Sequence, residues 1–282
     1  MGGWPESWLR IRSGADVMSQ LESAHVGLSS GVRLHYVQQG DPRGDVLLFL
    51  HGWPDSWFTF SRVLPLLPGG HRVLVPDHRG FGDSDRPECG YGIRELADDA
   101  SALLDALCVD RATLVGHSLG SFVARRMAVA HPDRVARLVL IGTGFSTVNP
   151  ATEQVRAMLP RGDGVSPAFA REFQASTAFA ALPPSFFDRL VEESLKAPAR
   201  VWRDVFNGLL AYDDTGELQR IDVPTLLLWG EHDALFPRRD QELVTAAIPG
   251  SALLVYAGTG HCPNWERPER VAADLAAFLQ RT

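Results

Sequence analysis

Six short apolar runs recur at wide spacing along this chain, at residues 46–50, 72–76, 112–116, 137–141, 225–229 and 251–256. A strand with one wet face alternates apolar and polar residues, whereas a run without that relief suits a strand covered on both faces, as in a parallel sheet. Between the runs lie segments 93–107, 119–130, 240–247 and 268–279, whose apolar residues return at helical spacing. In the first of them Leu96, Ala100, Leu103, Leu104 and Leu107 form one face. Strands alternating with helices build right-handed βαβ units and hence a layered α/β fold. Ahead of the first run, Gly31 separates residues 24–29 from the alternating stretch 32–37, which reads as a hairpin.

The rhythm breaks between Ile141 and Thr225. That interval carries helical patterns at 152–159, 167–176, 185–195 and 198–210, but no strand. Residues 146–222 hold six of the 14 Phe, at 169, 173, 179, 186, 187 and 206. Such an insertion packs its own small core and can also roof an apolar cavity. The expected organisation is an N-terminal arm at 1–23, a core from 24–145 and 223–282, and a helical cap at 146–222. The pattern begins only after Met18, which makes that methionine a candidate start.

Composition narrows the function. A length of 282 residues admits one large domain or two ordinary ones. A net charge of −7 argues against a nucleic-acid partner. The apolar runs are about five residues long, far short of the roughly 20 that span a membrane. The first twenty residues contain no apolar stretch of signal-peptide length. Three cysteines, Cys89, Cys108 and Cys262, cannot make a disulfide framework. These features together lead to the expectation of a cytoplasmic protein. The basic residues include a single lysine, Lys196.

The chemistry centres on Gly116-His117-Ser118-Leu119-Gly120, a G-x-S-x-G placed between an apolar run and a helical segment. In that setting the serine sits on a sharp strand-to-helix turn, where only glycine fits at the flanking positions. Four further motifs stand just past the C-terminal ends of expected strands: His51-Gly52-Trp53-Pro54, Asp77-His78-Arg79-Gly80-Phe81-Gly82-Asp83-Ser84, Gly230-Glu231-His232-Asp233 and Gly260-His261. That edge of an open α/β sheet is where ligands bind.

With these motifs in this order, the chain from residue 24 to 282 resembles the α/β-hydrolase fold superfamily. The resemblance implies a mostly parallel, eight-stranded sheet flanked by helices, with an inserted helical cap. It implies Ser118 as nucleophile, His261 as its base and Asp233 as the acid that orients the histidine. Glu231 and Asp222 are the nearest rivals of Asp233. Some relatives carry the acid after the strand at 137–141, but Gly142-Thr143-Gly144-Phe145 has no carboxylate there. By the same resemblance, the oxyanion hole is formed by the backbone N–H groups of Leu119 and Trp53, and a cis Trp53–Pro54 bond is common in this motif. His51 reads as structural, and the side chain of His117 is expected to point away from the nucleophile. Asp77, Arg79, Asp83 and Ser84 read as a turn-building network, Cys262 as a small buried side chain, and Glu266 with Pro268 as the start of the last helix. Expected pocket walls are Phe145, Phe179, Phe187, Trp202, Phe206 and Phe236. No metal or cofactor is implied.

The stretch from His51 to Trp57 is similar to epoxide hydrolases and to haloalkane or fluoroacetate dehalogenases. Those enzymes use aspartate where this chain has Ser118, and a serine attacks carbonyl carbon instead. Epoxide hydrolases also use paired cap tyrosines, whereas residues 146–222 contain only Tyr212. The expected activity is hydrolysis of carboxylic esters or lactones of small to medium apolar compounds. Carbon–carbon bond hydrolysis, amide hydrolysis and cofactor-free haloperoxidase (perhydrolase) chemistry use the same parts. A non-turnover small-molecule receptor is the alternative from another class. The sequence leaves open whether the protein is a monomer or a homodimer.

Overall fold

The computed structural model describes residues 21–280. The expected arm therefore lies almost wholly outside the described residues, as does Met18. The eight strands are β1 Glu22–Gly27, β2 Arg33–Gly40, β3 Asp45–Leu50, β4 His71–Pro76, β5 Ala112–His117, β6 Val135–Ile141, β7 Thr225–Gly230 and β8 Ala252–Tyr256. They form one sheet in the order β1-β2-β4-β3-β5-β6-β7-β8. The pairs β1/β2 and β2/β4 are antiparallel, and every later pair is parallel. The apolar runs thus mark the parallel strands, and the alternating stretch marks the antiparallel edge.

Helices α1 Ile93–Ala106, α2 Leu119–Ala130, α7 Arg238–Ala247 and α9 Pro268–Leu279 connect or follow the parallel strands, with a one-turn helix α8 at Pro263–Glu266. Helices α3 Pro150–Met158, α4 Pro167–Thr177, α5 Pro184–Leu195 and α6 Ala199–Leu210 fill the interval between β6 and β7. Each starts beside a proline, whose fixed φ suits a first helical turn; α3 also has Asn149 accepting from Ala151 N and Thr152 N. Two apolar layers flank the sheet. One, with Leu48, Leu114 and Leu138, packs under α1 and α2 and continues into Trp202, Val205 and Phe206 of α6. The other, with Phe49, Val115 and Ile141, is closed by Leu275 and Phe278 of α9.

Polar pairs, one of them fully buried, tie the segment between β6 and β7 to the rest of the fold. Arg125 in α2 is fully buried and meets Asp214 with two nitrogens while donating to the Gly144 carbonyl at 2.6 Å. Lys196, just past α5, places its ammonium 2.8 Å from Asp83 and 3.1 Å from Glu193. The turn after β4 behaves as the sequence suggests. Asp77 accepts from Trp57 N, Asp83 N and His35 Nδ1 at 2.7, 2.9 and 2.7 Å. Arg79 makes a two-pronged pair with Asp99 at 2.6 and 2.5 Å.

Candidate active site

Ser118 occupies the turn between β5 and α2 with φ 50° and ψ −118°. This left-handed region is costly for a residue with a Cβ, and such strain is commonly held at functional sites. The flanking glycines make the turn sterically feasible. A Cβ on Gly116 would lie 2.2 Å from the Gly120 carbonyl oxygen, and one on Gly120 would lie 2.0 Å from that of Leu50. The start of α2 lies directly behind the serine, and a helix N-terminus favours developing negative charge.

His261 follows β8 and is 2% exposed. Its Nδ1 donates to Asp233 Oδ2 at 2.9 Å. Asp233 follows β7; its other oxygen accepts from Leu235 N at 2.8 Å and Phe236 N at 3.0 Å. The carboxylate is thus fixed on both oxygens, which leaves His261 Nε2 buried and unpartnered. Ser118 and His261 face one narrow, largely apolar pocket. The rival carboxylates Glu231 and Asp222 are exposed. After β6 no acid intervenes: a Cβ on Gly142, at φ +56°, would lie 2.6 Å from the His261 carbonyl and 3.0 Å from its Nδ1.

Trp53 lines the pocket, and its bond to Pro54 is cis. His51 is tied into its loop, with Nδ1 donating to Gly52 O at 2.7 Å and Nε2 accepting from His78 N at 2.9 Å. Burial pushes its pKa well down. Cys262 is buried beside His261 and lines the pocket. Its burial raises the thiol pKa, which disfavours a thiolate there.

Four of the expected pocket walls lie elsewhere. Phe206 and Phe236 line the cavity. Trp202 is fully buried one layer back, its ring 5.1 Å from that of Trp53. Phe145 packs against the main core. Phe179 and Phe187 line a separate surface groove, and Phe179 is 58% exposed. Aromatic content does not say which face of each helix turns toward the nucleophile. The other walls include Val155, Phe173, Gln174 and Thr177, Leu209, Leu235 and Trp265. Phe173, Gln174 and Thr177 sit at helical spacing on one face of α4, a signal that was present in the sequence.

Three polar residues were misjudged or overlooked. His117 does not turn away: it lines the pocket, with its ring centroid 5.2 Å from that of His261. Asp55 also lines the pocket and is buried. It accepts from Gln174 Nε2 at 2.8 Å and from Thr59 Oγ1 at 3.1 Å. Desolvation dominates, and its carboxyl pKa is raised to about 6. Glu266 does more than begin the terminal helical region. One of its oxygens accepts from Gly260 N at 2.8 Å, the other from Phe179 N at 3.1 Å and Ala180 N at 2.6 Å. His261 N donates to Thr177 O at 2.8 Å, and the Phe179 ring stacks on His232 at 3.8 Å. The link between α4 and α5 therefore touches the loops of both Asp233 and His261.

Comparison with known proteins agrees with this architecture. A profile of the alpha/beta hydrolase fold family matches residues 45–268. The chain belongs to that family. It is 30% identical to a non-heme chloroperoxidase of Streptomyces lividans over 90% of this chain and 99% of the relative. It is 31% identical to a 2-hydroxy-6-oxononadienedioate/2-hydroxy-6-oxononatrienedioate hydrolase of Pseudomonas putida, over 88% and 92% of the two chains. The solved structure of an N-acyl homoserine lactone degrading enzyme superposes with a TM-score of 0.77 at 28% identity, covering 90% of this chain and 100% of that one. No helix among the described residues is long and apolar enough to cross a membrane.

Proposed function

We propose that this hydrolase cleaves carboxylic esters or lactones of small to medium apolar compounds through an acyl-enzyme on Ser118. The carrying observation is the placement of Ser118 and His261 on one apolar pocket, with His261 Nδ1 held 2.9 Å from Asp233 and Nε2 left without a partner. Nε2 takes the Ser118 proton as Oγ attacks the carbonyl carbon, and Asp233 stabilises the imidazolium. The N–H groups of Leu119 and Trp53 receive the oxyanion. Collapse expels the alcohol, protonated by His261, and water then repeats the cycle on the acyl-enzyme. Residues 146–222 act as a cap whose α3, α4 and α6 supply pocket walls.

Among the described residues, the cavity lining includes no tyrosine, which speaks against epoxide opening, a step that relies on phenol donors. The relatives support the wider class: the likeness to a lactone-degrading structure favours the lactone branch, and the Pseudomonas putida hydrolase keeps carbon–carbon cleavage as the second reading. Free cysteines at 89, 108 and 262 fit a reducing, cytoplasmic setting. Turnover of p-nitrophenyl butanoate and of a lactone panel tests the proposal. Ser118→Ala, and separately His261→Ala, should abolish it in a folded protein, and a fluorophosphonate should label Ser118 alone. Activity that survives Ser118→Ala would refute the assignment, and stoichiometric binding without turnover would favour a receptor.

A further inference from the structure

One corner of the largely apolar pocket holds two ionisable groups outside the set of Ser118, His261 and Asp233. There His117 Nδ1, 2% exposed as a residue, has no hydrogen-bond partner, and it faces Asp55 Oδ2 across 4.0 Å. The opposite ring nitrogen of His117 lies 3.4 Å from the His261 carbonyl oxygen. A carbonyl can only accept, so Nε2 carries the proton and Nδ1 presents a lone pair. Burial keeps this imidazole neutral by lowering its pKa well below the usual value. Asp55, whose carboxyl titrates near 6, is mostly ionised at neutral pH. His117 Nδ1 is therefore an unsatisfied buried acceptor, which is costly, and it faces Asp55 Oδ2, which keeps a lone pair beyond the bond it accepts from Thr59 Oγ1. A donor atom about 2.8 Å from each would see the two acceptors at close to a right angle; an amine or ammonium has a hydrogen for each of them, while a hydroxyl, with one hydrogen, satisfies His117 Nδ1 alone. Neither atom is needed by the chemistry of Ser118, His261 and Asp233.

We infer that Asp55 and His117 form a substrate subsite for a hydrogen-bond-donating substituent, a hydroxyl or an amine, carried near the scissile carbonyl. The inference deepens the proposed ester and lactone hydrolysis and rests on that reading for its substrate. A site built to accept from such a group discriminates against analogues that lack it, because His117 Nδ1 then stays unpaired. Gln174 and Thr59 hold the carboxylate in place. Asp55→Asn inverts the corner. The amide oxygen keeps the Gln174 bond, while the amide N–H₂ takes the place of Oδ2 and offers a donor to His117.

The test compares ethyl butanoate with its 2- and 3-hydroxy, amino and methoxy derivatives. The wild-type protein should favour at least one hydroxy or amino ester over its methoxy counterpart by about tenfold or more in kcat/KM. In Asp55→Asn that ratio should fall to one or below. The amino arm identifies a cation as the preferred donor if it exceeds the hydroxy arm. Calorimetric binding of the same esters to Ser118→Ala reads the subsite without turnover. A binding preference without hydrolysis by the wild type would leave the subsite standing and remove the proposed activity. Hydrolysis with hydroxy, amino and methoxy esters within twofold at both positions, or equal affinities in Ser118→Ala, would overturn the inference and assign the gap to solvent.

Discussion

Glu266→Gln separates a clamp that positions the base from one that merely holds the fold. The carboxylate accepts three backbone N–H groups, from Gly260, Phe179 and Ala180. A glutamine that keeps its oxygen on the last two turns its N–H₂ toward Gly260 N. That opposes donor to donor one residue before His261. Stranding a buried N–H costs about 1–3 kcal/mol, and loss of charge assistance on the other two bonds adds about 1 kcal/mol. The sum, about 2–4 kcal/mol, lowers Tm by roughly 5–15 °C for a chain of this size. The strain is relieved most easily by moving the Gly260–His261 peptide. A displacement of about 1 Å at a reacting group costs on the order of 10²-fold. The expected result is kcat lower by about 10–100-fold with KM changed less than threefold. Steady-state rates on p-nitrophenyl butanoate and thermal unfolding supply the two readouts. A lowered Tm with kcat within twofold of wild type would refute the positioning argument and leave only a structural clamp.

Gly142→Ala drives a methyl group to 2.6 Å from the His261 carbonyl and forces φ +56° on a residue with a Cβ. It should cost about 1–2 kcal/mol of stability and lower kcat at least tenfold; unchanged kcat would show that His261 does not lean on this glycine. Asp55 supplies a pH signature in stability. Its folded pKa of about 6 lies above the ordinary 3.8, so the folded state binds the extra proton between these values. Its contribution to stability is therefore present below pH 4 and lost as pH rises through 6, by on the order of 3 kcal/mol. Asp55→Asn should gain on wild type over that interval in urea titrations, and a constant difference at pH 4 and 7 would contradict the buried-carboxylate account. Differencing against wild type removes the opposing slope of the buried, neutral His51, His78 and His117.

What could be read from the chain was what the backbone demands locally. Strands covered on both faces need unbroken apolar runs, so β3 to β7 announced themselves. The turn at Ser118 needs glycine on both sides, and the residues after β7 and β8 follow the strand ends. Asp233 and His261 were named by the resemblance at those strand ends, and they lie 2.9 Å apart in the fold. The pocket wall was not legible, because Phe179 and Phe206 are chemically alike and only helix docking sends one to solvent and the other to the cavity. His117 was misread because the resemblance alone supplied the expectation that it turns away, and nothing local to the end of β5 signals that the chain after β8 returns to place His261 against its ring. Glu266 was seen only as a residue near a helix start, since nothing local signals backbone N–H groups arriving from almost ninety residues upstream.

The chain's only lysine has a practical consequence. Lys196 pairs with Asp83 on the sheet side and with Glu193 on α5. Burial works against its charge, yet these carboxylates raise its pKa. Besides the α-amino group, it is the one amine an acylating dye can find. Its labelling rate thus becomes a gauge of how often α5 lifts from the sheet, slow while the ammonium is paired and fast when the seam opens. Comparing that rate with and without an ester bound would measure how binding changes the opening of α5 in the native protein, without introducing a single substitution.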